Sequence, residues 1–315
     1  MGLVKVQAWF FPLMILLIGC SNLIVIYVGG NQYINGEIQI GVVVEFMLYV
    51  NILTWPVAVV GWVTSMVQQA EASQKRINEF LNVPNKIINK KNSKLIVDGD
   101  ITFNNVSYSY KETNIKALNK ISFNVKKGES IAVMGDVGSG KTTILELISR
   151  VYEPDEGSIS IGKNNISEIS LNILRESIGY VPQSTFLFSE TIENNLKFGK
   201  EDASKLEIRE SIKIAGLTKD IEQFKDKYST LLGERGVNLS GGQKQRLAIA
   251  RAVIKKPKIL ILDDSLSAVD TQTEKNIINN LNKTTKSITV FISTHRISTS
   301  KNCDKILVIN NGNLE

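Results

Sequence analysis

Between Met1 and Ala70 the only Asp, Glu, Lys, Arg or His residues are Lys5, Glu37 and Glu45. A water-exposed surface needs many charged side chains, so a stretch this poor in them must find an apolar solvent. The run WFFPLMILLIGCSNLIVIYV, Trp9 to Val28, has the length a helix needs to cross a bilayer core, about 20 residues. A second run from Ile40 to Val67 contains GVVVEFMLYVNIL and WPVAVVGWV. Between them GGNQYINGEIQ reads as a Gly-rich turn. The spacing predicts a membrane hairpin with helices over about 8–28 and 40–67. A secretory signal peptide is the competing reading. The length of the first run, the second run behind it and the lack of a clear small-residue cleavage site weigh against it.

Lys5 precedes the first run, Lys75 and Arg76 follow the second, and the turn has no Lys or Arg. The positive-inside rule then puts both ends in the cytoplasm and the turn outside. Pro12 and Pro56 should bend these helices, which neighbouring helices tolerate in a membrane. Glu45 is the one charge in the second run. A carboxylate at membrane depth suggests a function, but this one lies near the outer end, which favours interfacial placement over contact with a substrate. Trp55 and Trp62 lie deeper and are expected to pack on other helices. Two helices cannot enclose a pathway. The chain therefore assembles with further membrane segments or is a piece of a longer one.

The remainder is richly charged, with a net +6 for the whole chain. The lysines are scattered and no Lys/Arg stripe is interleaved with aromatics, so the charge reads as a solvated surface and not as a nucleic-acid footprint. Cys20 and Cys303 suggest neither a disulfide framework nor a metal site. His295, the single histidine, has no companion at zinc-ligand spacing.

QQAEASQKRINEFLN, Gln68 to Asn82, has helical spacing and should carry the second membrane helix into the cytoplasm until Pro84 stops it. KIINKKNSKLIVDGD reads as a linker. The expected organisation is a partial transmembrane domain over 1–84, a linker over 85–99 and an α/β domain over 100–315. In the last, DITFNNVSYSY, KISFNVKK, SIAVMG, SIGYVPQ, KILILDD and SITVFIST read as strands. TTILELISRVY and GQKQRLAIARAVI read as helices. Alternating strands and helices predict a mostly parallel sheet with crossover helices.

SIAVMGDVGSGKTTILELI is the most informative stretch. Gly135, Gly140, Lys141 and Thr142 fit G-x-x-x-x-G-K-[ST] between a predicted strand and a predicted helix. Glycines let such a loop, here including Asp136, Val137, Gly138 and Ser139, turn its amides toward phosphate oxygens. The helix start, with Thr143, adds its positive end. Lys141 can reach the outer phosphates, and Thr142 offers a hydroxyl to Mg²⁺. In ILILDDSLSAVD, Asp263 ends a buried strand where open α/β sheets bind ligands, and can hold Mg²⁺ through water.

From Leu239 the text LSGGQKQRLAIARAV resembles the signature of ATP-binding-cassette (ABC) ATPases, and the neighbouring motifs stand in that family's order. The resemblance implies a P-loop NTPase with a mixed sheet and a helical subdomain, preceded by the fifth and sixth helices of an exporter half. It implies ATP and Mg²⁺ as ligands. Tyr110 resembles the aromatic that stacks on adenine, and Gln183 in YVPQ the glutamine that senses Mg²⁺ and the membrane domain. Glu234 in TLLGERG resembles the exporter loop before the signature. Asp270, ending SAVD, resembles the dimer-contact loop, and His295 in STHR the switch histidine on the γ-phosphate. In that family two domains close head to tail over ATP. Ser240, Gly241, Gly242 and Gln243 would then meet the nucleotide of a second half-transporter.

Where the family usually has glutamate as general base, this chain has Asp264. A carboxylate about 1 Å short can cost roughly a hundredfold in rate. The resemblance therefore implies a weakly hydrolytic site beside an intact signature, as in heterodimeric exporters, in preference to a homodimer with two slow sites; a backbone shift that restores Asp264 is the remaining alternative. The expected setting is a multi-pass protein of the cell membrane with its nucleotide domain in the cytoplasm. Its neighbours would be lipid and an amphipathic small-molecule, lipid or peptide cargo. The family's half-transporter has six membrane helices against two here, and its members usually continue past a segment like KILVINNGNLE with a short helical tail, so the chain looks incomplete at both ends. A non-transporting remnant that binds ATP remains open. A soluble cassette ATPase is opposed by the hairpin.

Overall fold

A computed structural model of the chain describes residues 2–84, 87, 89, 95–284 and 288–315. Positions 85, 86, 88 and 90–94 of the expected linker lie outside the described residues, as does the side chain of Lys5. The chain divides into two compact units, Met1–Asn85 and Lys86–Glu315.

The first unit is a pair of helices, α1 (Gly2–Ile34) and α2 (Ile40–Leu81). Both are long and apolar enough, by length and composition, to cross a membrane. The turn between them is shorter than the sequence suggests. α1 runs on through Gly29 and Gly30, and only residues 35–39 are left to connect. The reason is packing, because a Cβ on Gly29 would lie 2.9 Å from Cγ2 of Val43. Glycine is what lets the helices close there, as small residues do between membrane helices. α2 continues through the charged segment to Leu81, where the N–H of Asn82 donates to Asn78 O and that of Val83 to Phe80 O. Pro12 and Pro56 both lie inside helices. The Tyr49 hydroxyl donates to the Glu45 carboxylate one turn away. Trp55 and Trp62 are 74% and 63% exposed, a surface that calls for lipid or further helices.

The second unit begins with β1 (Ile101–Tyr110), β2 (Ile115–Val125), β3 (Ser130–Met134), α3 (Lys141–Ile148), β4 (Glu156–Ile161) and β5 (Asn164–Asn165). Next come α4 (Leu171–Glu176), β6 (Ile178–Val181), α5 (Ile192–Lys197), α6 (Lys205–Ile214), α7 (Thr218–Gln223) and α8 (Gly241–Val253). The last elements are β7 (Ile259–Asp263), α9 (Thr271–Thr284), β8 (Thr289–Ser293), α10 (Ile297–Ser300), β9 (Lys305–Asn310) and β10 (Asn313–Leu314). Among the described residues these form two sheets. One is antiparallel, in the order β2-β1-β4-β5. The other runs β10-β9-β3-β8-β7-β6, parallel from β9 to β6 with β10 antiparallel at its edge. Every residue of β7 and of β8 is buried, as apolar runs at the centre of a parallel sheet should be.

The faces of this sheet belong to two cores. Ile259 and Ile261 of β7 pack with Ile144 and Leu145 of α3. Leu260 and Leu262 pack with the helices α5, α6 and α8 on the other side. This is the mixed sheet with a helical subdomain that the motifs led us to expect. One helix departs from expectation. The segment TTILELISRVY stops being helical at Ile148 because Arg150 adopts φ +51° and is almost fully buried. Its guanidinium donates to Ile169 O at 3.0 Å and to Glu153 at 2.8 Å.

Candidate functional site

Between β3 and α3 the chain makes a tight loop whose glycines are required by its path. Gly135 has φ +151°, and a Cβ there would lie 2.1 Å from Ile309 O. Gly140 has φ +108°, and its Cβ would lie 2.6 Å from Ala117 O. Ser139 N donates to Asp136 O at 3.2 Å and tightens the turn. Val137 and Gly138 form its tip, with Val137 92% exposed. The Ser139 hydroxyl is buried with no hydrogen-bond partner, as expected of a group prepared for a ligand oxygen. Lys141 curls back, and its Nζ donates to Gly135 O at 2.8 Å and Asp136 O at 2.7 Å. Burial holds its pKa below the ordinary lysine value, against the pull of Asp263, Asp264 and Asp136.

Asp263 ends β7 and is 3% exposed. It lies on the α3 face, in phase with Ile259 and Ile261. The Thr142 hydroxyl donates to its Oδ1 at 3.2 Å. These are hard oxygen donors side by side, the set a Mg²⁺ ion takes together with water and phosphate. The Tyr180 hydroxyl reaches the other oxygen at 3.5 Å. Burial, and then the Asp263 charge, push the Tyr180 phenol above its ordinary value. Glu146 of α3 is raised by the same two causes.

Asp264 leaves the strand with φ +44°. Its N–H donates to Ser293 O at 3.2 Å, and its Oδ2 accepts from Gln183 Nε2 at 3.4 Å. His295 follows β8 and is exposed. Gln183 after β6, the two aspartates at the end of β7, His295 after β8 and the loop after β3 therefore stand at one edge of one sheet, its carboxyl edge. That edge is where open α/β sheets bind ligands. Tyr110 arrives from the other sheet, with its hydroxyl 3.0 Å from Thr143 Oγ1. Its ring packs edge-on against Tyr108 and Tyr152.

The signature residues are held elsewhere. Ser240 caps α8, accepting from Gln243 N while the Gln243 side chain accepts from Ser240 N at 2.9 Å. Gln243 Nε2 donates to Asp220 at 2.9 Å, and Arg246 grips the same carboxylate at 2.9 and 3.2 Å. Gly241 and Gly242 lie against Ala268, where a Cβ on Gly242 would stand 2.9 Å from the Ala268 carbonyl oxygen. The hydrogen bonds of this cluster run to Asp220, not to Lys141 or Asp263. Asp270 accepts from Thr273 N at 2.9 Å and caps α9, and that N–H lowers its pKa. Glu234 lies in an exposed helical turn beside Arg235, which has φ +51°.

The sequence reading did not single out Tyr180, Glu146, Tyr108 or Tyr152. Tyr180 stood inside the quoted YVPQ. An isolated Glu on a helix such as Glu146 carries no sequence signal.

The family described as ABC transporter matches residues 118–267. The chain is 42% identical over 308 residues to YheI of Bacillus subtilis, a probable multidrug resistance ABC transporter ATP-binding/permease protein. That match covers 98% of this chain and 53% of the relative. The chain belongs to the ABC transporter family. A second relative, the multidrug resistance-like ATP-binding protein MdlA of Escherichia coli, is 35% identical over 316 residues, 100% of this chain and 53% of MdlA. The solved structure of a bacterial Atm1-family ABC exporter with ATP bound superposes with a TM-score of 0.76 at 31% identity. It covers 100% of this chain and 55% of that one. The chain thus spans about half the length of the curated ABC relatives it matches. The family match takes in the phosphate loop, the signature and both aspartates; Tyr110, Asp270 and His295 lie beyond it.

Proposed function

We propose that this chain is part of an ABC exporter subunit that binds ATP with Mg²⁺, hydrolyses it, and uses the cycle to move cargo across a membrane. The observation that carries the reading is the Thr142–Asp263 contact of 3.2 Å at the mouth of a glycine loop. Residues 135–143 cradle the phosphates, with Lys141 exchanging its two carbonyl partners for phosphate oxygens, and Tyr110 offers its ring to the base. Thr142, Asp263 and Gln183 hold Mg²⁺, which would neutralise phosphate charge. His295 orients the terminal phosphate. Asp264 takes the proton of the attacking water.

Ser240, Gly241, Gly242 and Gln243, with Asp270 beside them, serve a second half-transporter facing this one. Their hydrogen bonds to Asp220 and their packing on Ala268 leave the capped helix start free to meet the other subunit's nucleotide. The shorter Asp264 makes the site built on Lys141 the slower one, which favours a heterodimer. The protein is multi-pass in the cell membrane, with residues 1–84 as a partial transmembrane domain whose second helix extends past the bilayer into the cytoplasm, 85–99 as linker and 100–315 in the cytoplasm. The relatives named as multidrug proteins support an amphipathic small-molecule cargo, with lipids and peptides of the same class.

The test uses the full-length protein purified with its partner. Wild type should bind ATP in the presence of Mg²⁺, and Lys141→Ala should weaken that binding by about tenfold or more, since charge-assisted contacts to phosphate are lost. Absence of binding by wild type overturns the reading. Asp264→Glu should raise turnover by roughly ten- to a hundredfold. Unchanged turnover with intact binding would remove the slow-site assignment alone.

A further inference from the structure

The stretch between the two aspartates and α9 is held from two sides by side chains to which the mechanism above gives no role. On one side stands Gln245 of α8, donating to Ser267 Oγ at 3.1 Å and accepting from Ala268 N at 2.9 Å. On the other stands Arg296, the residue after His295. Its Nη2 donates to Ser267 O at 2.6 Å, and its Nη1 to Val269 O at 2.8 Å. Nη1 also pairs with Glu274 Oε2 at 2.7 Å. Glu274 is 2% exposed, and its second oxygen accepts from the Thr299 hydroxyl.

This arrangement leaves the guanidinium little freedom. A buried carboxylate needs its cation, so the Glu274 pair fixes where the charge must be. Two backbone carbonyls on the same planar fork fix its orientation, which a lysine ammonium on a flexible stem cannot reproduce. The backbone on either side of Arg296 is tied as well. Its N–H donates to Thr294 Oγ1 at 3.1 Å, and Thr294 N donates to Val133 O at 3.1 Å. His295 lies between these two anchored residues.

We infer that Arg296 is a positioning residue for ATP hydrolysis, clamping residues 267–269 to the His295 segment so that Asp264, His295 and the signature helix keep one alignment. The inference rests on the ATPase reading above. Asp264 precedes the clamped loop by three residues, and Gln245 joins that loop to the helix that starts at Ser240. A shift at either end is passed across through hydrogen bonds to backbone atoms. A positioning error of ~1 Å is enough to change the chemical step while leaving nucleotide affinity alone.

The experiment compares wild type with Arg296→Lys in the full-length protein assembled with its partner. Lysine keeps a cation for Glu274 and loses the span over both carbonyls. The expected result is a melting temperature close to that of wild type, an ATP Kd within about twofold, and a kcat about tenfold lower at unchanged KM. An Arg296→Met, Glu274→Gln double variant, which removes the buried charge together with its partner, should lose kcat to a similar extent. Unchanged kcat in both variants overturns the proposal. So does a kcat loss matched by an equal loss of nucleotide affinity and melting temperature, because that is the mark of a fold-maintaining contact only. Wild-type protein that binds no ATP would overturn the functional reading itself, and this inference with it.

Discussion

Asp263 and Asp264 are neighbours in sequence with different surroundings. Asp263 keeps strand geometry and faces the Thr142 hydroxyl, whereas Asp264 takes φ +44° and meets Gln183. A left-handed conformation costs a residue with a Cβ roughly 1–2 kcal/mol, and Asp is among the side chains that tolerate it. Gly140 poses the same constraint more sharply, since it combines φ +108° with a Cβ position 2.6 Å from a backbone oxygen. Gly140→Ala should lose roughly 1–3 kcal/mol of stability, read by denaturant titration; wild-type stability would show that the loop can take another path. Lys141, Thr142 and Asp263 were legible in the sequence because fixed spacing after a strand dictates their placement. Glu146, Tyr180 and the partners of Arg296 were not. Their roles come from residues far along the chain, and no local pattern encodes such meetings.

Elements show the same division. α6 begins with Ser204 and Glu207 exchanging side-chain and backbone hydrogen bonds across the first turn. Ser204→Ala should cost about 0.5–2 kcal/mol, measurable as a lower melting temperature, and an unshifted melt would mean the helix end is held by packing alone. The helix after the signature was readable from its apolar spacing, and β3, β7 and β8 from short runs of buried aliphatics. The extents of α1 and α3 were not. α1 continues past two glycines because Val43 of α2 needs the space above Gly29. α3 stops early because Arg150 turns inward to Ile169 O.

At the level of the whole molecule, charge and solvent set the conditions under which this fold persists. Lys200, the backbone N–H of Ser204 and Lys256 hold the Glu207 carboxyl well below its ordinary value of 4.5. The Ser130 hydroxyl and N–H do the same for Asp304, below 3.8, joining the starts of β3 and β9. A carboxyl depressed in the folded state binds fewer protons there than in the unfolded chain. Its stabilisation is therefore complete above the unfolded pKa and is lost as pH falls toward the folded one. Stability should be flat at neutral pH and decline below about pH 4.5, with Glu207→Gln removing part of that decline. A wild-type profile and a variant profile of the same shape would contradict the assignment. Full-length protein in native membranes should stay in the pellet after alkaline carbonate extraction, and release into the supernatant would count against a spanning role for α1 and α2. The alternation of β7 between two cores has a further consequence. Moving the strand by one position would swap Ile259 and Ile261 with Leu260 and Leu262, and would present Asp264 to α3 in place of Asp263. Both hydrophobic layers and the metal-facing oxygen would fail together. Genetic drift can thus exchange one aliphatic for another along this strand, but descendants that gain or drop a single codon within it should be missing from any working lineage.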